Sequence, residues 1–485
     1  MENKSNNFIA ASEIAIHTPE LRAAVAHGTS NAYNKRIAAM YAHSFDHGEA
    51  MRQQAAEAKR RMLRSLPEML ELAEKNLRAN GFEVLWASDA AEANRLALDI
   101  IQRHGAQTVA KVKSMLTEEI GLNHALEDAG LRVIETDLGE YIIQLNGESP
   151  SHIVAPVIHK TKPQIRDIFV EKLGMTPTDD AAEMVAFARL KLRQEFLNAD
   201  LGISGANFVI AETGSVCLVT NEGNGRMCTS LPRTHIAMVG IEKLAATLED
   251  YATLTQVLPR SGTGQNLTVY TSILNGPRRP DESDGPEHAY VIFVDNGRSD
   301  IYATTYAEVL ACLRCGACLN ACPVYRSTGG HAYGWVYGGP VGAVLTPLLV
   351  GKANAHYLPY ASSLCGACKS VCPVDIDLPR MLLELRKDLV EDGETSLTWD
   401  WGMKGFAVGM GSPMFYGLGG RMARIGIKFA PKQLPGVLGN WTQNREFPHF
   451  APKPFRQLWR ERQQARNQGT AAHNSARKVD HEHES

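Results

Sequence analysis

Two short strings hold seven of the nine cysteines. The first, CLRCGACLNACPVY, carries Cys312, Cys315, Cys318 and Cys322, with Pro323 following. The second, SSLCGACKSVCPVD, carries Cys365, Cys368 and Cys372, with Pro373 following. Aligning CGAC and CP in the two strings puts Ser362 where the first has Cys312. The first string reads C-x2-C-x2-C-x3-C-P, the spacing that holds a 4Fe–4S cubane: three thiolates converge from one tight turn, and the fourth ligates the neighbouring cluster. Cross-ligation predicts a first cluster on Cys312, Cys315, Cys318 and Cys372. It predicts a second on Cys322, Cys365 and Cys368, with one iron lacking a cysteine. A zinc site accounts for C-x2-C pairs in general, but not for this spacing repeated with its proline.

The expected cofactors are therefore two 4Fe–4S clusters, the second with one non-cysteine or unknown ligand. Such clusters move single electrons, and the expected role is relay. Organic two-electron chemistry normally uses flavin or nicotinamide, yet no G-x-G-x-x-G or P-loop motif follows a strand in this chain. Cys217, mid-strand in GSVCLVT, reads as a small buried apolar residue. Cys228, in GNGRMCTS, reads as a turn residue, with approach to the second cluster as the alternative.

The elements that must position these thiols are legible upstream. Residues 57–80 read as one amphipathic helix, and FEVLWA (82–87) as a strand. Asp89 is an N-cap candidate for the helix that follows, with Leu96 and Ile100 on one face. TVAKVK and LRVIETD read as further strands flanking a helix that Gly130 ends. Residues 180–198 read as a helix, NFVIAETGSVCLVTNEG as two strands joined at ETGS, and HIAMVGIEKL as strand into helix. This alternation implies an α/β domain with a largely parallel sheet. The long segment between the cysteine strings has helical patterning and implies an α-helical ferredoxin arrangement, closed by a helix over 378–393.

The expected boundaries are an N-terminal arm (1–56), an α/β domain (57–300), an iron–sulfur domain (301–395), a C-terminal region (396–460) and a disordered tail (461–485). A formal net charge of -3 gives no support for nucleic-acid binding. No apolar run is long enough for a membrane span. The uncharged stretches 336–350 and 405–420 read as buried, with shallow contact at a membrane or membrane partner as the alternative for the second. Clustered cysteines without a secretory signal point to the reducing cytoplasm, with attachment to the inner face of the membrane as the variant of that expectation.

Several longer stretches, ISGANFVIAETGSVCLVTNEGNGRMCTSLPRTHIAMVGIEKL (203–244), DGPEHAYVIFVDNGRSD (284–300), GGHAYGWVYGGPVG (329–342) and SSLCGACKSVCPVDI (362–376), resemble the lactate-utilisation protein B (LutB/YkgF) family. The resemblance implies a LUD domain of NagB/RpiA/CoA-transferase-like fold, followed by two ferredoxin-type segments. It implies an electron-transfer role in oxidising L-lactate to pyruvate, without catalytic residues in this chain. It also implies two companion subunits, one cysteine-rich of the CCG type and one small LUD protein, with an unknown electron acceptor. The same seven cysteines are the family's expected ligands. Service to another 2-hydroxy acid such as glycolate, or a LUD ligand-binding or enzymatic module with structural or sensing clusters, are the alternatives. Within the LUD segment, Glu212 of AETGS reads as a turn cap or as a transferase-like nucleophile. HKTK (159–162) and PRTH (232–235) are candidate carboxylate contacts.

Overall fold

The computed structural model describes residues 2–394, 397–426 and 451–467. Residues 1–394 form one compact unit and residues 395–485 a second. The first unit is built on a six-stranded, wholly parallel sheet. Its strands in chain order are β1 (Glu83–Ala87), β2 (Thr108–Lys111), β3 (Arg132–Glu135) and β4 (Leu201–Gly205); β7 (Thr234–Gly240) and β10 (His288–Val294) complete it. A smaller sheet uses β5 (Phe208–Ile210), β6 (Ser215–Thr220), β8 (Leu244–Ala245) and β9 (Tyr270–Leu274).

The large sheet runs β1-β10-β7-β4-β2-β3. Its central strands β4, β7 and β10 are apolar and buried on both faces, as a parallel sheet covered by helices requires. From β2 the chain moves outward to β3; from β4 it moves the other way to β7. The β2/β4 boundary is thus a topological switch point, and the crevice beyond the strands' carboxyl ends is the usual ligand position in such sheets.

Several sequence expectations hold. Asp89 accepts the amide of Glu92 and caps the helix Ala90–Arg103, and β5 and β6 pair antiparallel across the expected turn. Helix Leu378–Glu391 is capped by Asp377 and buries Leu378, Met381, Leu382, Leu385 and Leu389 on one stripe. Other expectations change. The single helix over 57–80 is two helices, Phe45–Arg64 and Leu66–Ala79. The break falls at Ser65, where Pro67 opens a new first turn. The expected helix before Gly130 is likewise two short ones, because Gly121 sits at φ 67° between them. HIAMVGIEKL is strand, turn and short strand, with the helix beginning only at Leu248.

The first 56 residues, expected as an arm, are helical over 8–16, 19–40 and onward from 45. They are tied to the cysteine region by long-range bonds: Lys4 donates its amide to the Gly334 carbonyl (2.8 Å). Arg52 donates from Nε to the Cys372 carbonyl (3.0 Å) and from Nη2 to that of Lys369 (3.3 Å). The stretch 336–350 is buried in helix Gly339–Val350, as expected. The stretch 405–420 is not: in the second unit, helices Leu397–Gly411 and Pro413–Gly426 leave Trp401, Phe406, Val408, Met414 and Leu418 exposed. Residues 455–467 are helical, and the rest of the expected tail lies outside the described residues. Among the described residues no helix is long and apolar enough to cross a membrane.

An ionic knot joins the α/β part to the cysteine region. Arg298, just past β10, donates to both carboxylate oxygens of Glu119 (2.8 and 2.9 Å) and to Glu242 (2.7 Å). Tyr337, between the cysteine strings, donates its hydroxyl to Glu119 (2.6 Å). Removing one partner strands the other charges in a low-dielectric interior. Arg298→Met is therefore expected to destabilise the first unit by about 3–5 kcal/mol, read from denaturant midpoints.

His235, the second residue of β7, is fully buried beside Ser204 (2.8 Å), and burial pushes its pKa down to about 4. The unfolded chain binds this proton near pH 6.5, so His235 adds stability above that pH and withdraws it as pH falls toward 4. Glu140 and Glu222, pushed up to about 7 by burial, act in the opposite sense, so the contribution is read as a difference between proteins. Between pH 6.5 and 5, His235→Asn is expected to lose about 1.5 kcal/mol less stability than the unaltered chain, measured by urea unfolding at both pH values.

Candidate metal centre

The two cysteine strings fold as copies of one backbone pattern. Arg314 and Leu364 have left-handed φ values of 59° and 55°, and Gly316 and Gly366 follow at 76° and 81°. Short helices Ala317–Ala321 and Ala367–Ser370 then lead to Cys322 and Cys372. The left-handed residue folds the chain back so that its amide meets the side chain two positions earlier. Arg314 donates to Cys312 Sγ (3.4 Å), and Leu364 donates to Ser362 Oγ (3.1 Å). Ser362 therefore occupies in three dimensions the place of Cys312.

Cys312, Cys315, Cys318 and Cys372 line a single cavity floored by Ile153, Val341, Val374 and Leu378. Three come from the first string and the fourth from the second. Cys322, Cys365 and Cys368 form the other group: the charge of Cys365 helps to raise Cys322, and those of Cys322 and Cys365 help to raise Cys368. Cys318 and Cys368 are neighbours across the two groups. Among the described residues no three His, Cys, Asp or Glu side chains converge on a point suited to one metal ion.

As thiols Cys315, Cys318, Cys322, Cys368 and Cys372 resist ionisation. Burial pushes Cys315 and Cys368 up to about 12 and Cys372 up to about 11. Cys365 is exposed, and the Ala367 amide and the Ser363 hydroxyl hold it below the usual value. Binding iron must release the buried protons, which couples occupancy to pH. The surroundings fit an anionic cluster. Arg36, almost wholly buried, has Nε and Nη2 without an acceptor and lies near Cys315. Arg314 stacks on Tyr337 at 4.8 Å and leaves Nη1 buried without a partner. Orphaned guanidinium donors beside a thiol-lined cavity are what sulfide-bearing anions would satisfy.

The α/β part supports this frame directly. His152 accepts the amides of Val154 and Ala155 on Nδ1 and meets Asn320 with Nε2 (3.2 Å), pinning the loop 151–155 to the helix that carries Cys318. Tyr325 donates its hydroxyl to the Ser151 carbonyl (2.6 Å). Gly330 lies so close to that carbonyl that a Cβ would collide with it.

A second cavity, of about 360 Å³, opens at the carboxyl ends of β2, β4 and β7, and shares Ile153, Leu313, Arg314 and Cys315 with the thiol-lined one. It has no signature in the sequence, because Lys113, Lys243, Arg298 and Arg314 converge there from distant segments. The positive φ of Arg314, inside the cysteine motif itself, has no signature in its residue type. The candidates singled out in the LUD segment lie elsewhere. Glu212 accepts the Leu248 amide (2.9 Å) and so serves as a cap. His159 and Lys160 both pair with Glu148, and Arg233 pairs with Glu287 at the surface. Cys217 is buried near Tyr251. Cys228 is buried against Thr136 (3.4 Å) in the α/β core, away from the second cysteine group.

Residues 70–294 match the LUD domain, 308–376 the 4Fe–4S dicluster domain and 389–464 the C-terminal domain of lactate utilisation protein B. Lactate utilization protein B of Bacillus licheniformis is 45% identical over 427 residues, covering 87% of this chain and 90% of that protein. Lactate utilization protein B of Shouchella clausii is 46% identical, covering 86% and 89%. The chain belongs to the lactate utilisation protein B family. A third member, from a Geobacillus species, is 44% identical over 94% of this chain and 97% of its own length. A crystal structure of a DUF162 family protein from Deinococcus radiodurans aligns at 16% identity with a TM-score of 0.28, covering 47% of this chain and 98% of that one. The family's dicluster domain spans both cysteine strings, so iron–sulfur clusters belong to this region.

Ser362 leaves the second group one thiol short in a backbone already shaped for it. Ser362→Cys is expected to slow the loss of iron from the protein in air, measured as iron per chain over time after anaerobic reconstitution.

Proposed function

We propose that this chain is the iron–sulfur electron-transfer subunit of a complex that oxidises L-lactate to pyruvate. The observation that carries the reading is the cavity lined by Cys312, Cys315, Cys318 and Cys372, with Cys322, Cys365 and Cys368 grouped beside it. In this reading the first four residues hold one 4Fe–4S cluster. The other three, with a fourth ligand that is not cysteine, hold the second. Clusters of this kind supply one-electron transfer.

The protein's own residues fix the geometry for that chemistry. Arg52 anchors the Cys372 backbone, Asn320 and His152 fix the helix bearing Cys318, and buried Ile153, Val341 and Leu378 exclude water from the first group. Exposed Cys365 makes the second group the side that meets an electron partner. Membership of the family supports two companion subunits, a cysteine-rich CCG-type protein and a small LUD protein, and a cytoplasmic location. The division into an arm (1–56), LUD domain (57–300), iron–sulfur domain (301–395) and C-terminal region (396–460) belongs to the same proposal.

Two measurements test it. With the companion subunits present, L-lactate is expected to reduce anaerobically purified protein, seen as new EPR signals; the absence of any reduction would overturn the relay role. Cys372→Ala, although it alters the second string, is expected to remove the EPR signal of the first cluster and spare that of the second. The reverse pattern would break the cross-ligation. Growth of a deletion strain on lactate and on glycolate separates the two acids.

A further inference from the structure

The cavity at the carboxyl ends of β2, β4 and β7 is not explained by electron relay. It lies at the β2/β4 switch point, and its volume of about 360 Å³ is within the range of small-molecule sites. Its wall toward the cysteines is one stretch of chain thick, Leu313–Cys315, shared with the thiol-lined cavity.

The charges in it are unevenly satisfied. Arg298 is saturated by Glu119 and Glu242. Lys59 is buried and spends its donors on the Glu242 and Leu244 carbonyls (2.9 and 3.1 Å), which fixes the turn that carries Lys243. Lys243 itself lines the cavity and, among the described residues, its ammonium has no hydrogen-bond or ion-pair partner. Arg314 lines it as well, 3.6 Å from Glu242 through Nη2 and with Nη1 unpartnered. Asp137 and Glu222 also line it, and the ionised Asp137 disfavours an anion on its own side of the space. Leu218 and Leu258 give the space between an apolar lining.

We propose that this cavity binds a small organic carboxylate, its charged end on Lys243 and Arg314 against the Leu313–Cys315 wall, and its body among the apolar side chains. The choice of a 2-hydroxy or 2-oxo acid rests on the lactate reading above. The site is the place where this chain holds that acid next to the first cysteine group.

Counter-charge to an iron–sulfur cluster is the competing account of Arg314. It does not explain a cavity of this size, nor Lys243 facing into it. The two accounts separate by experiment. Equilibrium dialysis of the anaerobic holo-protein with radiolabelled L-lactate, pyruvate and glycolate is expected to show saturable binding of at least one, at one per chain. Lys243→Gln is expected to weaken it by about 10-fold or more, the loss of a charge-assisted hydrogen bond. Ala206→Leu, which fills the cavity without altering a charge, is expected to abolish it. Iron content and melting temperature, measured alongside, are expected to stay unchanged in both variants.

The proposal is overturned if none of the three acids binds, if neither variant weakens binding in protein of normal iron content, or if inorganic phosphate competes as well as the acids do. If none binds while lactate still reduces the protein through its companions, the site fails and the lactate reading stands. If glycolate alone binds, sensitive to both variants, the site stands and lactate loses its place.

Discussion

The buried charges around Arg298 are the constraint on which the two halves of the first unit depend. Arg298 follows β10, Glu242 follows β7, Glu119 lies after β2, and Tyr337 comes from between the cysteine strings. No member can move without leaving another charged or polar atom unsatisfied, and in this interior that penalty is large. Opposing effects at Glu242 show the balance. Burial alone would raise its pKa, but the charges of Arg298, Lys243 and Arg314 hold it down at about 2. The carboxylate is thus an anion at any physiological pH, and it fixes both Arg298 and the approach of Arg314. Since Arg314 sits between Cys312 and Cys315, the first cysteine loop takes its position from the sheet.

Packing around the thiols follows from that junction. The loop 151–155 crosses to the iron–sulfur region through His152 and Ser151, and helix Phe45–Arg64 crosses from the opposite side through Arg52. The first cysteine group is enclosed by apolar residues and unpaired guanidinium donors, while the second keeps Cys365 at the surface. Of the seven thiols Cys365 alone is exposed, Cys312 and Cys318 are half-buried and the rest are buried, so a partner from outside comes nearest at Cys365.

Much of this was legible in the residues. The cysteine spacing, the CP dipeptides and the offset of Ser362 are properties of the string itself, and the structure places Ser362 in the position the alignment implies. Period-3.6 and strand patterns located most of the α/β elements, because each buries one face in a sheet or helix layer. The expectations that changed were those decided by distant partners. The helix break at Ser65 is the exception, because Pro67, which opens the first turn of the second helix, marks it locally. The apolar stretch 405–420 reads as core by composition, yet its apolar residues lie exposed, and in helix Pro413–Gly426 Met414, Leu418, Met422 and Ile425 do so along one stripe. The cavity charges were invisible for the same reason: Lys113, Lys243, Arg298 and Arg314 become neighbours only through the strand order.

The clasp of the first helices over the cysteine region carries a consequence for how the protein is made. Lys4 meets Gly334 and Arg52 meets Cys372, contacts spanning more than three hundred residues of chain. The segment that closes the site is made before any of the seven thiols, and the last thiol comes only near the end of the first unit. Until Cys372 leaves the ribosome, the first four-thiol group is one donor short and Arg52 has nothing to hold. High contact order of this kind delays closure. It leaves an interval in which the earlier thiols stand open before the first helices close over them.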